Sequence, residues 1–271
     1  MKPLIVTADD YALSEAVDDG ILDLVAQGRL SAASCMTCSP RWPAAAARLT
    51  SEVQARIRLG LHLDLTAFVP GAQALKEVIV SAYLRQLDGA HLQQVVADQL
   101  DRFEQALGRA PDYVDGHQHV HQLPQVREAL LAELRRRYPT APRPWLRISD
   151  ASAGQGWKGW LIAALGSRAL RGQARSVGFL TTGRLLGVYG FDGDAAAYLQ
   201  RLAGWLPLAR ADDALMCHPA ARLDAGEEIG GARFQEYQVL GGEAFAGLLS
   251  QHHRVVVQGR AWPEVDKEWA A

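Results

Sequence analysis

Short runs of apolar residues alternate along the chain with longer stretches in which apolar positions recur every third or fourth residue, the pattern of β-strands joined by crossover helices. The short runs predict strands near 3–8, 31–37, 57–64, 111–116, 144–148, 176–182, 213–217 and 253–258. The helical period is clearest over 14–27, where Leu13, Val17, Ile21, Leu22 and Val25 share a face, and it returns over 42–49, 92–107 and 124–138. Gly28, Gly108 and the proline-rich stretch 139–144 mark helix exits. Seven or eight such βα units in 271 residues predict an α/β fold with a parallel sheet: an irregular (β/α) barrel, complete or one strand short of eight, in a single domain covering 1–271. Two stretches break the alternation, 67–89 and the Gly-, Ser- and Trp-containing 151–172. The first reads as a lid and the second as a loop plus helix over the barrel mouth, or either as a variable connection.

Composition narrows the function. Hydrophobic residues make up 49% of the chain, enough for a sizeable core. A net charge of −2 with arginines spread along the chain gives no field that would gather nucleic acid, so no polyanion partner is expected. No apolar run approaches the ~18 residues of a membrane span, and charge arrives too early for a signal peptide, so the expected location is cytoplasmic. The three cysteines fit a reducing compartment, and Cys35 and Cys38, in strand-like sequence, read as structural thiols rather than a metal or redox pair.

The residues with chemistry to offer gather where the predicted strands end. Asp9 and Asp10 close the first apolar run, His62 lies in GLHLDLT at 60–66, His117 opens HQHVH at 117–121, and His218 follows the apolar 214–217 stretch, which Pro219 stops. In a parallel barrel the carboxyl ends of the strands share one face, the face that carries the site in characterised barrels. Buried carboxylates at a strand end are costly unless paired or bound to metal. One aspartate and two histidines form a ligand set for a divalent cation with open positions for water and substrate. The second aspartate can then take a proton from that water. His218, with an unperturbed pKa of about 6.5, suits protonation of a departing amine.

Three neighbours of this set have less defined roles. His117, His119 and His121 alternate, so an extended chain would direct all three to one face. His119 and His121 can pack beneath an ion, orient His117 or meet substrate, and Asp115 can fix a histidine tautomer or bond the Gly116 turn. Plainer readings exist for each residue alone: Asp9-Asp10 as a turn or a cap for the helix near Ser14, and His62 as a core histidine bonded to a carbonyl. Convergence from separate strands favours a site. His91, His252 and His253 read as surface residues, and Trp42, Trp145, Trp157, Trp160 and Trp205 as core residues or sugar-stacking platforms.

Four motifs, TADDYALS (7–14), GLHLDLT (60–66), DGHQHVH (115–121) and MCHP (216–219), together resemble in content and order those of the YdjC-like carbohydrate deacetylases, among them chitooligosaccharide and hopanoid-associated members. The resemblance implies a barrel related to the polysaccharide deacetylases and hydrolysis of an N-acetyl group on an amino sugar or oligosaccharide, with release of acetate. It implies one divalent cation: Mg2+ by family habit, although two histidines and an aspartate also suit Zn2+. Position by position it implies Asp10, His62 and His117 as metal ligands, Asp9 as catalytic base and His218 as acid. Less specifically, it implies Arg147 in WLRI as the holder of the base, and the 181–190 stretch containing Tyr189 as a substrate-side loop. A homodimer is a further expectation from the resemblance.

Tyr11-Ala12 stands where the family more often has Phe-Gly, so the turn after the aspartates is expected to differ slightly or not to need positive φ. RFQEY at 233–237 matches only loosely. Two other readings remain. A phosphoesterase could use the same ligands but should carry more Arg or Lys, or a second metal site. A silent carbohydrate-binding protein should have lost one of the five catalytic and metal positions, and all are present.

Overall fold

A computed structural model describes residues 1–151, 155–224 and 226–259. Its strands are β1 (Lys2–Tyr11), β2 (Ala32–Cys35), β3 (Arg58–Leu63), β4 (Tyr113–Gly116), β5 (Trp145–Leu146), β6 (Leu185–Leu186), β7 (Ala214–Cys217) and β8 (Arg254–Val256). The pairings between them are parallel and run in the order β5-β4-β3-β2-β1-β7-β6. β1 is at the centre and is buried without interruption from Leu4 to Tyr11, as a strand covered on both faces must be. The two ends of the sheet are drawn together by one segment. Leu146 N–H bonds to Leu180 O and Thr182 N–H to Leu146 O, and a few residues later Leu185 pairs with Ala214 of β7. β8 pairs only with Lys2–Leu4 of β1, below the register at which β2 begins opposite Thr7.

The helices are α1 (Glu15–Ala26), α2 (Trp42–Ala47), α3 (Ser51–Arg56), α4 (Leu75–Tyr83), α5 (Gly89–Leu107), α6 (Val126–Arg137), α7 (Gly156–Ala164), α8 (Ser167–Ser176), α9 (Ala195–Trp205), α10 (Gly230–Gly241) and α11 (Glu243–Gln251). Side-chain oxygens of Ser14, Thr50, Asp88 and Asp194 cap α1, α3, α5 and α9, and α5 stops at Gly108 with φ 67°. Ser14, not Asp10, therefore caps α1, which leaves the Asp10 carboxylate for other work. No helix among the described residues is long and apolar enough to cross a membrane.

One sequence expectation is displaced. The sixth strand, expected over 176–182, contributes only a bridge at Thr181, and the paired strand is Leu185–Leu186. α8 ends at Ser176, with Leu170 and Ala174 buried and Arg168 and Arg175 outward, and the run after it joins the sheet only through Thr181, so pairing with β7 begins four residues further on at Leu185. Of the stretches that break the alternation, 67–89 contains α4, and 151–172 contains a helix as expected, α7, with the start of α8.

Alternation along β1 separates two kinds of interior. Leu4, Val6 and Ala8 face the helices in the large core, whereas Ile5 joins Ala32, Tyr113, Trp145, Leu185, Ala214 and Met216 in a small apolar plug inside the barrel. Tyr113 and Trp145 stack there at 4.3 Å, and Gly60 leaves the room: a Cβ on it would lie 2.4 Å from the Tyr113 ring. Above the plug the barrel lining turns polar, with Thr7, Asp9, Ser34, His62, Asp115 and Arg147 all buried. A sealed floor beneath a polar upper layer positions the site.

Candidate active site

Asp10 lies at the end of β1 with φ 69°, a left-handed conformation uncommon for a residue with a Cβ and best tolerated by Asp and Asn. That turn separates the directions of two adjacent carboxylates. Asp9 points into the barrel, where both its oxygens accept bonds of 2.6 Å from Arg147. Asp10 Oδ1 lies 2.9 Å from His117 Nδ1 and 3.3 Å from His62 Nε2, and its Oδ2 accepts a 2.7 Å bond from Arg233. Ala12 also adopts positive φ, 78°, so of the two readings of this turn, the one in which it does not need that conformation is excluded. Its N–H donates to Asp18 at 2.7 Å and its carbonyl accepts from Ser39 at 2.7 Å, which holds the alanine in place.

His62 is aimed by a carboxylate behind it. Its Nδ1 lies 2.6 Å from Asp115 Oδ1, which fixes the tautomer that leaves Nε2 facing Asp10. Asp115 is in turn held by Ser34 Oγ at 2.7 Å and by Arg147 at 3.0 Å. Arg147 thus binds the two carboxylates Asp9 and Asp115 at once, and also donates to Thr7 Oγ1 at 2.8 Å.

The three histidines after β4 do not share a face. The ladder ends at Gly116, and residues His117–Gln122 form a 3-10 turn in which Gln118 and His119 take positive φ. His117 turns toward Asp10, His119 Nδ1 lies 3.0 Å from Ser149 Oγ, and His121 Nε2 lies 2.8 Å from the Arg147 carbonyl. Burial lowers the His121 pKa to about 4, and its Nε2 is engaged with the Arg147 carbonyl rather than turned toward Asp10.

The donor set fits a divalent cation. Asp10, His62 and His117 form a group whose ligand atoms lie within 4.8 Å of one another. Separations of 2.9 and 3.3 Å between them match the roughly 3.0–3.4 Å expected of donors each ~2.1 Å from a common ion. The local charge agrees. Burial works against a charged His62, yet Asp115 and Asp9 overcome it and raise its pKa to about 10. Three buried carboxylates facing the guanidiniums of Arg147 and Arg233 call for more positive charge, which a bound cation would supply while leaving His62 neutral. Burial likewise opposes ionisation of Asp10, but Arg233 and His117 outweigh it and hold the carboxyl well below the usual range.

His218 follows β7 and presents Nε2 at 3.9 Å from Asp9 Oδ2. The sequence suggested an ordinary imidazole; the structure places it where burial lowers its pKa to about 4 despite Asp9 and Asp10. It is neutral at rest. Cys35, by contrast, is buried with its thiol pKa pushed well up by burial, in keeping with a structural role.

Two site residues escaped the sequence reading, both on α10. Arg233 reaches Asp10. Glu236, buried, accepts bonds of 2.6 Å from the Tyr189 hydroxyl and 2.5 Å from the His218 backbone N–H. The loose RFQEY match was the available signal. Burial raises the Glu236 pKa to about 7 against the pull of Tyr189, His218 and Arg233. A carboxyl whose folded pKa lies above its unfolded value, about 4.5, contributes stability in full below the unfolded value and loses it as pH rises toward the folded one. The Glu236 contribution should therefore fall between about pH 4.5 and 7, by an amount on the order of 3 kcal/mol, while the neutral, buried His121 and His218 contribute in the opposite direction over the same range. Glu236→Gln, which can keep both contacts without the charge, should remove the Glu236 contribution alone, so that in urea unfolding the stability of wild type relative to the variant is higher at pH 5 than at pH 8. A wild-type-to-variant difference equal at the two pH values would mean that Glu236 is not the titrating group.

The site and fold together define a class: an irregular parallel α/β barrel carrying an Asp-His-His cluster and a second, Arg-held aspartate at its strand ends. The chain belongs more particularly to the YdjC-like protein family, whose model matches residues 3–251. Among similar curated proteins are the human carbohydrate deacetylase, 27% identical over 251 residues covering 80% of this chain and 74% of that one, and a Yersinia pestis (strain Pestoides F) chitooligosaccharide deacetylase, 32% identical over 135 residues covering 46% and 53%. A zebrafish carbohydrate deacetylase is 30% identical over 171 residues, and that match spans 54% of this chain and 52% of the relative. The chain thus spans about half the length of several curated relatives that it matches.

Solved structures share the fold. A protein of Enterococcus faecalis V583 described as a candidate for cellobiose-phosphate cleavage superposes with TM-score 0.65 at 20% identity, covering 94% of this chain and 97% of that one. The peptidoglycan deacetylase PdaC of Bacillus subtilis superposes with TM-score 0.50 at 13% identity, covering 98% and 92%.

Proposed function

We propose that this protein is a metal-dependent deacetylase that hydrolyses an N-acetyl group on an amino sugar or oligosaccharide. The observation that carries the reading is the meeting of Asp10 Oδ1, His62 Nε2 and His117 Nδ1 beside a second, separately held carboxylate. Relatives named carbohydrate and chitooligosaccharide deacetylases support the substrate class. So does a cavity of about 490 Å³ lined by Trp157, Lys158, Tyr189, Asp192, Arg201 and Trp205, which mixes aromatic faces with hydrogen-bonding groups. It lies close to the proposed acid, because Tyr189 packs on Phe191 and Phe191 on His218 at ring separations of 5.0 and 5.2 Å.

Asp10, His62 and His117 would hold one divalent cation, Mg2+ or Zn2+, whose charge would polarise the acetyl carbonyl and favour deprotonation of water. Asp9 accepts the proton of the attacking water, its carboxylate oriented by Arg147. The water oxygen bonds to the acyl carbon, the C–N bond breaks, and the departing nitrogen needs a proton. His218, whose Nε2 lies 3.9 Å from Asp9 Oδ2, takes up the proton that Asp9 has received by way of one bridging water and delivers it to the amine. Acetate and the free amino sugar result.

The test is acetate release from a panel of N-acetylated mono- and oligosaccharides, using protein purified without chelator, assayed for bound metal and then supplied with Mg2+ or Zn2+. No acetate from any sugar with metal restored would end the reading. In the same assay His218→Ala should retain metal and lose turnover by about 10²–10⁴-fold, the usual weight of a general acid. A rate and pH profile equal to wild type would remove His218 from that role.

A further inference from the structure

We propose that Glu236 is a positioning residue for the acid His218, acting by joining the His218 main chain to the Tyr189 wall of the neighbouring cavity. The inference rests on the deacetylase reading above and goes beyond it to a residue that touches neither the ion nor the reacting atoms.

The geometry begins where the sheet runs out. β7 pairs with β1 as far as Cys217, opposite Ala8, and the next residue is His218, followed by Pro219, which has no N–H to offer. The acid therefore sits on backbone that the ladder no longer holds. Helix α10 takes over from the sheet. Glu236 Oε2 accepts the His218 N–H at 2.5 Å, and the Arg233 carbonyl accepts the Ala220 N–H at 3.1 Å. The other carboxylate oxygen accepts the Tyr189 hydroxyl at 2.6 Å. One buried side chain thereby ties together the loop after β6, the end of β7 and α10.

The choice of residue supports a functional reading. Glu236 makes one contact from each of its two oxygens, so a single side chain serves both the His218 N–H and the Tyr189 hydroxyl. His218 Nδ1 has no hydrogen-bond partner among the described residues, so the ring receives no orientation from that side. Its position depends on the main chain that Glu236 holds and on the edge-to-face contact with Phe191.

The test compares Glu236→Met, which keeps side-chain volume but accepts neither bond, with Glu236→Gln, which can accept the His218 N–H and donate to Tyr189. Metal-loaded protein is assayed for acetate release, with metal content and thermal midpoint measured alongside. Glu236→Met should lower kcat about 30-fold with little change in KM or bound metal, and Glu236→Gln should recover it to within about threefold of wild type. In a His218→Ala background, Glu236→Met should cost no more than about twofold further, because a residue acting through His218 has nothing left to position. A 30-fold loss repeated in that background, or wild-type kcat in Glu236→Met, would overturn the proposal.

A second readout does not depend on activity. The His218 imidazole signals in 15N-histidine-labelled protein, assigned by their absence in His218→Ala, should shift or broaden in Glu236→Met and stay in place in Glu236→Gln. Unmoved signals in Glu236→Met would overturn the inference whether or not acetate is released. Absence of acetate from wild type overturns the deacetylase reading alone.

Discussion

Asp9→Asn is expected to retain bound metal and lose acetate release by roughly 10³-fold or more, whereas Asp10→Ala is expected to lose both. The difference follows from the turn between the two residues. Asp10 shares its Oδ1 with His62 and His117, so its removal leaves two imidazoles without the anion that completes the donor set. Arg233 would then face the site without its Asp10 contact, and its charge would further repel a cation. Asp9 lies outside that trio: its nearest approach to His62 Nε2 is 3.9 Å, and its oxygens are turned to Arg147. The amide in the Asp9→Asn variant would occupy nearly the same volume but could not accept a proton from water at neutral pH. Metal content by elemental analysis and acetate release on the same preparations separate the outcomes. Near-wild-type turnover in Asp9→Asn would remove it as the base, and full metal occupancy in Asp10→Ala would break the ligand assignment.

How much of this was legible in the sequence depends on distance along the chain. The strand ends that supply Asp9, Asp10, His62 and His218 were readable because each follows a short apolar run, and a parallel sheet sends all such ends to one face. The Arg147–Asp9 pair was within reach only through family resemblance, since 138 residues separate the partners and neither run shows which face it turns inward. The histidine row was misread for a local reason: alternation implies one face only while the chain stays extended, and β4 stops at Gly116, one residue before the row begins. α10 offered still less. Its side chains in RFQEY look like an ordinary amphipathic surface, and Arg233 and Glu236 acquire their roles only because the helix packs across the ends of β1 and β7, contacts set by tertiary structure.

Arg147→Met is expected to be the most damaging single change to stability, about 3–5 kcal/mol, because it leaves Asp9 and Asp115 buried without their shared cation. The guanidinium is fully buried and is the largest polar side chain in the barrel interior, and methionine would fill much of its volume, so a loss of that size would be electrostatic rather than a matter of packing. For a domain of this length the thermal midpoint should drop by roughly 10 °C. Lysine is not an adequate replacement, since one ammonium cannot reproduce the paired bonds to Asp9 while also reaching Asp115 and Thr7. A second substitution identifies the cause. Adding Asp115→Asn to Arg147→Met removes one of the stranded charges while the new amide oxygen can still accept from His62, so the double variant should regain part of the lost stability even though it carries two changes. Additive loss in the double variant would show that Arg147 acts through packing, and the account of Asp9 as a carboxylate oriented by that arginine would fall with it.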